Sequence, residues 1–294
     1  MQTAPVILAP DGMFIMNDKI WIIQTKKDTL FDIFNLPDCK YLYSKGTKGG
    51  GPDDFIFPHP LSIQVEDDKF TIFDNIVLKT MELQASGLLH TVKRERIFDM
   101  FPVNGFAKLN DSLFCAFADC ATGASGDFEF EFILKNTSNK EEIKFSNYPD
   151  LTTKKFQGDQ KCQIYYKYPV ANPSKGKFAT FYSYFKFFRI YSVNGVLEKE
   201  IHVNIEPYST DDVDDWRKRN VYYSIPVVTE KYIYAPCMPN EIQVWDWDGK
   251  PIIQYFLDAG FYLFAVSEKL NKLYTVRYSQ DEESIDKIYV YDLN

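Results

Sequence analysis

The stretch that decides the fold is KGTKGGGPDDFIFPHP, residues 45–60. Its glycines and prolines admit two readings, a loop that cradles phosphate or a corner between strands. A phosphate loop requires G-x-x-x-x-G-K-[ST] running from a strand into a helix. Here Lys48 precedes its glycines, and Pro52, Pro58 and Pro60 forbid a helix whose amino terminus could hold an anion. As a corner the stretch is coherent. Glycine permits positive φ where the chain leaves the strand-like KYLYS, Pro52 fixes a turn, and Phe55 can plug the gap between packed sheets before the chain enters PLSIQV.

Outward from this corner the same strand grammar recurs. NDKIWIIQ, DDKFTIFD, NDSLFCAFA, KGKFATFYS, TEKYIYAP and LNKLYTVRY each open on a polar turn and continue as alternating aromatic and β-branched residues. Their first apolar strand residues, Ile20, Phe70, Leu113, Phe178, Tyr232 and Leu273, lie 41 to 65 positions apart, and each run is followed by a second strand-like run. Six units of about 49 residues result, the size of a four-stranded propeller blade that needs neighbours to cover its apolar faces. KFATFYSYFKFF is apolar on both faces, as a blade sandwiched between two others must be. The expectation is an all-β, six-bladed β-propeller of four-stranded antiparallel blades, one domain over residues 1–294, with a two-domain β-sandwich as the competing arrangement. The last unit offers three strands, FYLFAVSE, KLYTVRYS and KIYVYDLN, so the amino-terminal APVILAP is expected to complete it and close the ring, which removes an exposed edge.

Gly49, Gly51, Pro52, Phe55 and Pro58 resemble the G-x-G-P-x-x-F-x-x-P junction of NHL-type propellers and of the TolB-like six-bladed propeller proteins of gut anaerobes. The likeness is sharp at this one junction and otherwise rests on blade count and strand pattern. It implies a six-bladed ring, export through a lipoprotein or secretory signal to the periplasm or the outer-membrane surface, and a ligand- or protein-binding role. It carries over no catalytic residue. The start MQTAPVILAPDGMF has no basic segment followed by an apolar one, and the first cysteine is Cys39, so the export signal is expected upstream of Gln2.

Composition narrows the partners. A net charge of −8 argues against nucleic acid, since phosphate neutralisation needs clustered Lys and Arg, and against anionic membranes. No apolar run approaches the roughly 18 residues of a membrane span. Five cysteines, Cys39, Cys115, Cys120, Cys162 and Cys237, include no C-x-x-C pair and read as idle thiols. His59, His90 and His202 have no partner at metal-ligand spacing, and GASG at 123–126 is not a G-x-S-x-G elbow.

The most suggestive polar stretch is STDDVDDWRKR, residues 209–219. Asp211, Asp212, Asp214 and Asp215 could gather oxygens around calcium, but the run lacks the glycine and terminal glutamate of an EF-hand loop. Arg217, Lys218 and Arg219 neutralise it, which reads as a solvated loop. Trp216 is either an anchor folded onto the core or an exposed stacking platform. Long loops at 46–60, 119–127, 147–161 and 204–220 fall on one face of the expected propeller, and long loops are where binding residues concentrate. The functional expectation is a monomeric, non-enzymatic module without a cofactor. It binds a protein, glycan or small molecule on this face through His59, Asp211, Asp212, Asp215, Trp216, Arg217 and Arg219. The alternative is a hydrolase or lyase with a divalent metal in the central channel.

Overall fold

The computed structural model describes residues 7, 10–99, 105–118, 129–203, 208–237, 239–277 and 287–293. The strands run in meander order. The first sheet holds β1 (Gly12–Met16), β2 (Lys19–Ile23), β3 (Thr29–Asn35) and β4 (Tyr41–Thr47). The second holds β5 (Pro58–Glu66), β6 (Lys69–Asp74), β7 (Val77–Leu83) and β8 (Leu89–Glu95). The third is built from β9 (Phe106–Lys108), β10 (Leu113–Phe117), β11 (Phe130–Asn136) and β12 (Glu142–Asn147). A short helix, α1 (Gly158–Ile164), precedes the fourth sheet of β13 (Lys167–Asn172), β14 (Lys177–Tyr182), β15 (Phe187–Ser192) and β16 (Leu197–His202). The fifth comprises β17 (Val227–Val228), β18 (Tyr232–Cys237), β19 (Glu241–Asp246) and β20 (Pro251–Phe256). The sixth has three described strands, β21 (Phe261–Ser267), β22 (Lys272–Arg277) and β23 (Tyr289–Asp292).

Six consecutive antiparallel meanders make this an all-β six-bladed propeller fold, as the sequence period implies. Apart from the amino-terminal APVILAP, every predicted strand run lies on an observed strand. The pairing of the amino-terminal stretch with the last sheet falls on residues 1–6 and 8–9 and lies outside the described residues. Ile7 is buried with Ala265, Tyr274 and Val276.

The chain divides into two compact units, residues 1–96 with 259–294, and residues 97–258. In the first, Phe14, Trp21, Phe31, Phe55 and Phe70 share a core between the first and second sheets. In the second, the fourth sheet is buried on both faces because its strand residues alternate. Phe178 stacks on Tyr191 at 4.8 Å and meets Phe132 of the third sheet at 6.1 Å. Phe181 stacks on Phe188 at 4.4 Å, and Phe188 meets Trp245 of the fifth sheet at 4.9 Å. Fourth strands are different. LEKEIH of β16 is charged and solvent-facing, which discourages pairing with another chain along the free edge.

The opening stretch is a corner, and its parts have separate jobs. Phe55 is fully buried, 5.6 Å from Phe31. Of the stretch's glycines only Gly46 has positive φ, at 75°. Gly49 and Gly51 are small for a different reason: a Cβ on either would come within 2.5 and 2.7 Å of the Asp54 carboxylate. That carboxylate accepts the Gly51 N–H at 2.9 Å and the Thr47 hydroxyl.

Candidate binding surfaces

In the second unit the acidic stretch forms a tight, internally bonded loop. The Asp211 N–H donates to Ser209 Oγ at 3.0 Å, and the Arg219 N–H to the Asp215 carbonyl at 2.9 Å, which closes one helical turn. Val213 points inward and is buried with Ile164 of α1, Tyr165 and Phe185. Lys154, from the neighbouring loop, donates to Asp214 at 2.6 Å and to the Asp211 carbonyl. This hydrogen bond holds the Asp214 carboxyl below the usual aspartate range and raises Lys154. Lys218 lies 3.5 Å from Asp215 and 3.9 Å from Asp212. Two long loops are therefore latched together, and the polar atoms of the acidic run are largely spent on the loop itself.

Trp216 stands out of this loop with 71% of its surface exposed. Of the two readings open in the sequence, the side chain adopts the exposed platform. The Arg217 guanidinium lies 5.1 Å from its ring centre. Arg219, three residues on and so on the same side of the turn, covers the Tyr184 ring at 4.0 Å. Tyr184 belongs to a half-buried tyrosine group. Tyr208 and Tyr222 pair at 5.1 Å with Lys186 over both rings, and Tyr166 and Tyr168 pair at 5.2 Å. The Tyr222 N–H donates to the Ser183 carbonyl at 2.7 Å, and the Tyr168 hydroxyl meets the side chains of Ser183, Tyr166 and Ser224. Burial raises the Tyr168 and Tyr208 hydroxyls above their ordinary value, so these groups are neutral donors and acceptors. Asp211, Asp212, Asp215, Trp216, Arg217 and Arg219 thus share one loop. Lys154, Tyr184, Tyr208 and Tyr222 complete the surface and were not singled out in the sequence, where the only signal is local tyrosine density in IYYKY, FYSYF and NVYYS.

Beneath this surface lies a closed charge network. The fully buried Glu131 carboxylate accepts from Lys167 Nζ at 2.9 Å, Arg189 at 2.6 Å, the Tyr182 hydroxyl at 2.8 Å and Ser146 Oγ at 3.2 Å. Arg189 also donates to Glu200 at 2.6 Å and to the Asn147 carbonyl at 2.8 Å. Lys167 Nζ lies over the rings of Tyr148 and Phe117 at 4.8 and 4.9 Å, and donates to the Tyr165 carbonyl at 3.2 Å. Two cations face two anions, so the network is balanced, which is the condition under which buried charge is tolerated. A carboxylate with no solvent access and every bonding direction used has no free position for a substrate. Its contacts instead fix Asn147, Tyr148 and Tyr165, the roots of the latched loops.

In the first unit, His59 sits at the start of β5 with its ring 5.7 Å from Phe57. Burial holds its pKa below the ordinary value, against a smaller opposite effect of Asp74. Around it, Ile56 and Phe57 are 64% and 67% exposed, and Leu61 is exposed too. Their backbone is held rigidly. Ile56 and Phe57 N–H groups both donate to Asp74 Oδ1, at 2.9 and 2.6 Å. β5 then bulges between His59 and Gln64. Ser62 Oγ repairs the ladder by accepting the Phe73 N–H at 2.9 Å and donating to the His59 carbonyl at 2.7 Å.

Among the described residues no three His, Cys, Asp or Glu side chains are grouped to hold a metal ion, and no helix is long and apolar enough to cross a membrane. The expected loop at 119–127, the GASG stretch and residues 204–207 lie outside the described residues.

Residues 6–269 match the family model described as TolB-like 6-blade propeller-like. No curated protein matches the chain. Among solved structures, a member of the duf4221 family from Bacteroides vulgatus aligns with a TM-score of 0.60 at 11% identity, over 99% of this chain and 95% of that one. BamB from Moraxella catarrhalis aligns at 0.40 and 11% identity over 97% and 73% of the two chains. KlHsv2 with loop 6CD replaced by a Gly-Ser linker aligns at 0.43 and 8% identity over 94% and 80%. At these identities the likeness to the Bacteroides vulgatus protein is one of fold.

Proposed function

Because the chain belongs to the TolB-like 6-blade propeller family, we propose that it is an exported, non-enzymatic binding module, working as a monomer and as one domain over residues 1–294. Its ligand is held on the latched loop surface around Trp216. A single observation carries this reading: a tryptophan 71% exposed on a loop that is otherwise pinned at both of its faces. Exposing an indole forfeits burial worth on the order of 2 kcal/mol, and a pinned backbone spares a partner the entropy of ordering the loop. Asp211, Asp212, Asp215, Arg217 and Arg219 supply the polar rim. His59 serves the separate apolar surface of the first unit. Export accords with the family resemblance and with the acidic, span-free chain.

The test is Trp216→Ala. Because the side chain touches solvent, thermal stability should stay within about 0.5 kcal/mol of the parent, while material retained from an envelope extract on the immobilised protein should fall sharply. A stability loss with unchanged retention would identify a structural staple and remove the site.

A further inference from the structure

We propose that the ligand of the Trp216 surface is an uncharged saccharide, a neutral glycan chain whose sugar ring lies on the indole. The inference rests on the binding role proposed above and names its ligand class. Three features of the surface select it.

The first is the ring. Trp21, Trp245 and Trp247 are buried, so Trp216 is the chain's one solvent-facing indole. An aromatic face is electron-rich, and the C–H face of a pyranose presents weakly positive hydrogens and little else, so the two surfaces match in shape and in sign.

The second is charge. Asp211, Asp212, Asp214 and Asp215 stand against Lys154, Arg217, Lys218 and Arg219 in the two loops, with Lys186 over the tyrosine rings. Lys154 pairs with Asp214 at 2.6 Å and Lys218 with Asp215 at 3.5 Å, while Arg217 and Arg219 lie over the Trp216 and Tyr184 rings. A surface of mixed, nearly balanced charge does little to steer or reward a polyanion or a polycation. It does offer carboxylate acceptors and guanidinium donors side by side, and a sugar hydroxyl, donor and acceptor at once, uses both.

The third is area. Among the described residues of this loop, Trp216 and Val221 are the exposed large apolar side chains. That is far less than the apolar centre of a standard interface, which buries about 800 Å² per partner. Tyr184, Tyr208 and Tyr222 continue the surface with half-buried rings that carry polar hydroxyls, which suits a second sugar unit better than a hydrophobic plug.

The experiment uses the full chain and the exposure of its single surface indole. Acrylamide quenching of tryptophan emission reads Trp216 against a background of three buried indoles. Quenching is recorded with neutral glucans, xylans and mannans, with heparin and polygalacturonate, and with envelope proteins. Neutral glycans are expected to protect Trp216. Trp216→Ala should lose at least about ten-fold in affinity for the protecting glycan, the scale of a contact hot spot, and Trp216→Phe, which keeps a ring, should lose less. Protection by a charged polymer or by envelope protein, with none from neutral glycans, overturns the ligand class while leaving the surface a binding site. No protection by any probe, together with unchanged envelope retention by Trp216→Ala, overturns the site as well.

Discussion

Asp74 Oδ2 and Lys79 Nζ stand 2.7 Å apart with both side chains only 2% exposed. The other Asp74 oxygen takes the Ile56 and Phe57 N–H groups, and Lys79 donates to the Asp54 carbonyl. One buried ion pair therefore holds residues 54–57, the part of the corner that leads into the second sheet. Removing either partner leaves a buried, uncompensated charge, so Asp74→Asn and Lys79→Met should each lower unfolding free energy by about 3–5 kcal/mol. The double variant Asp74→Asn with Lys79→Met should lose much less than the sum of the two single changes. Urea unfolding of the four proteins checks this. Additive losses would mean that the two groups act independently.

Glu131 plays the corresponding part in the second unit. Glu131→Ala should cost about 3–5 kcal/mol by stranding Lys167 and Arg189. Burial, reinforced by the neighbouring Glu131 charge, pushes the Tyr182 and Tyr191 hydroxyls above their usual range. A raised folded-state pKa gives stability that is complete below the unfolded value, about 10, and is lost as pH rises toward the folded one. The protein should therefore unfold in alkali with a burst of tyrosinate absorbance, and Tyr182→Phe should blunt the alkaline loss. Smooth titration of all tyrosines near pH 10, with the fold intact, would contradict the assignment.

The glycines of the corner separate into those the fold needs and one it does not. Gly46→Ala meets both a φ of 75° and a Phe31 ring atom 2.7 Å from the new Cβ, so it should destabilise by more than about 1 kcal/mol. Phe55→Ala should cost about 3–5 kcal/mol through the cavity it leaves. Gly50 has nothing within 4 Å of a built Cβ, and Gly50→Ala should stay within about 0.5 kcal/mol of the parent. Thermal melts of the three variants decide, and an equal effect at Gly46 and Gly50 would refute the account.

Acid should open the loop latch. Asp214 is held below the usual aspartate range, chiefly by the Lys154 hydrogen bond. A depressed folded-state pKa gives stability that is present above the unfolded value, about 4, and lost as pH falls through the folded one. Trp216 quenching should therefore rise on acidification below about pH 4, before the sheets unfold, and Asp214→Asn should show the loosened signal already at neutral pH. A flat signal down to global unfolding would show that Lys154 and Asp214 do not hold the loop.

Much of the fold was legible in the sequence because its signal is local. Strand alternation, polar turns and the charged fourth strand LEKEIH each depend on neighbours within a few positions. The corner at residues 45–60 was readable for the same reason, although positive φ explained only Gly46; the other two small positions answer to Asp54, whose side chain has to be placed before their crowding can be seen. Helix α1 carried no such signal. It begins at Gly158 without a side-chain cap, and Ile164 is held by tertiary burial with Tyr165 and Val213.

The sequence by itself determined the number of sheets and the place of their aromatic strands, since period and alternation are written residue by residue. Only the tertiary structure decided which charges meet and which aromatic stays outside. Glu131, Ser146, Lys167, Tyr182, Arg189 and Glu200 come from six strands of two sheets, and their meeting depends on register across that contact, which no local pattern encodes. Trp216 is exposed while Val213 of the same loop is buried with Ile164, Tyr165 and Phe185. Which of these two apolar side chains is covered depends on what the rest of the chain packs against the loop, and burial by distant residues is not written in the local sequence.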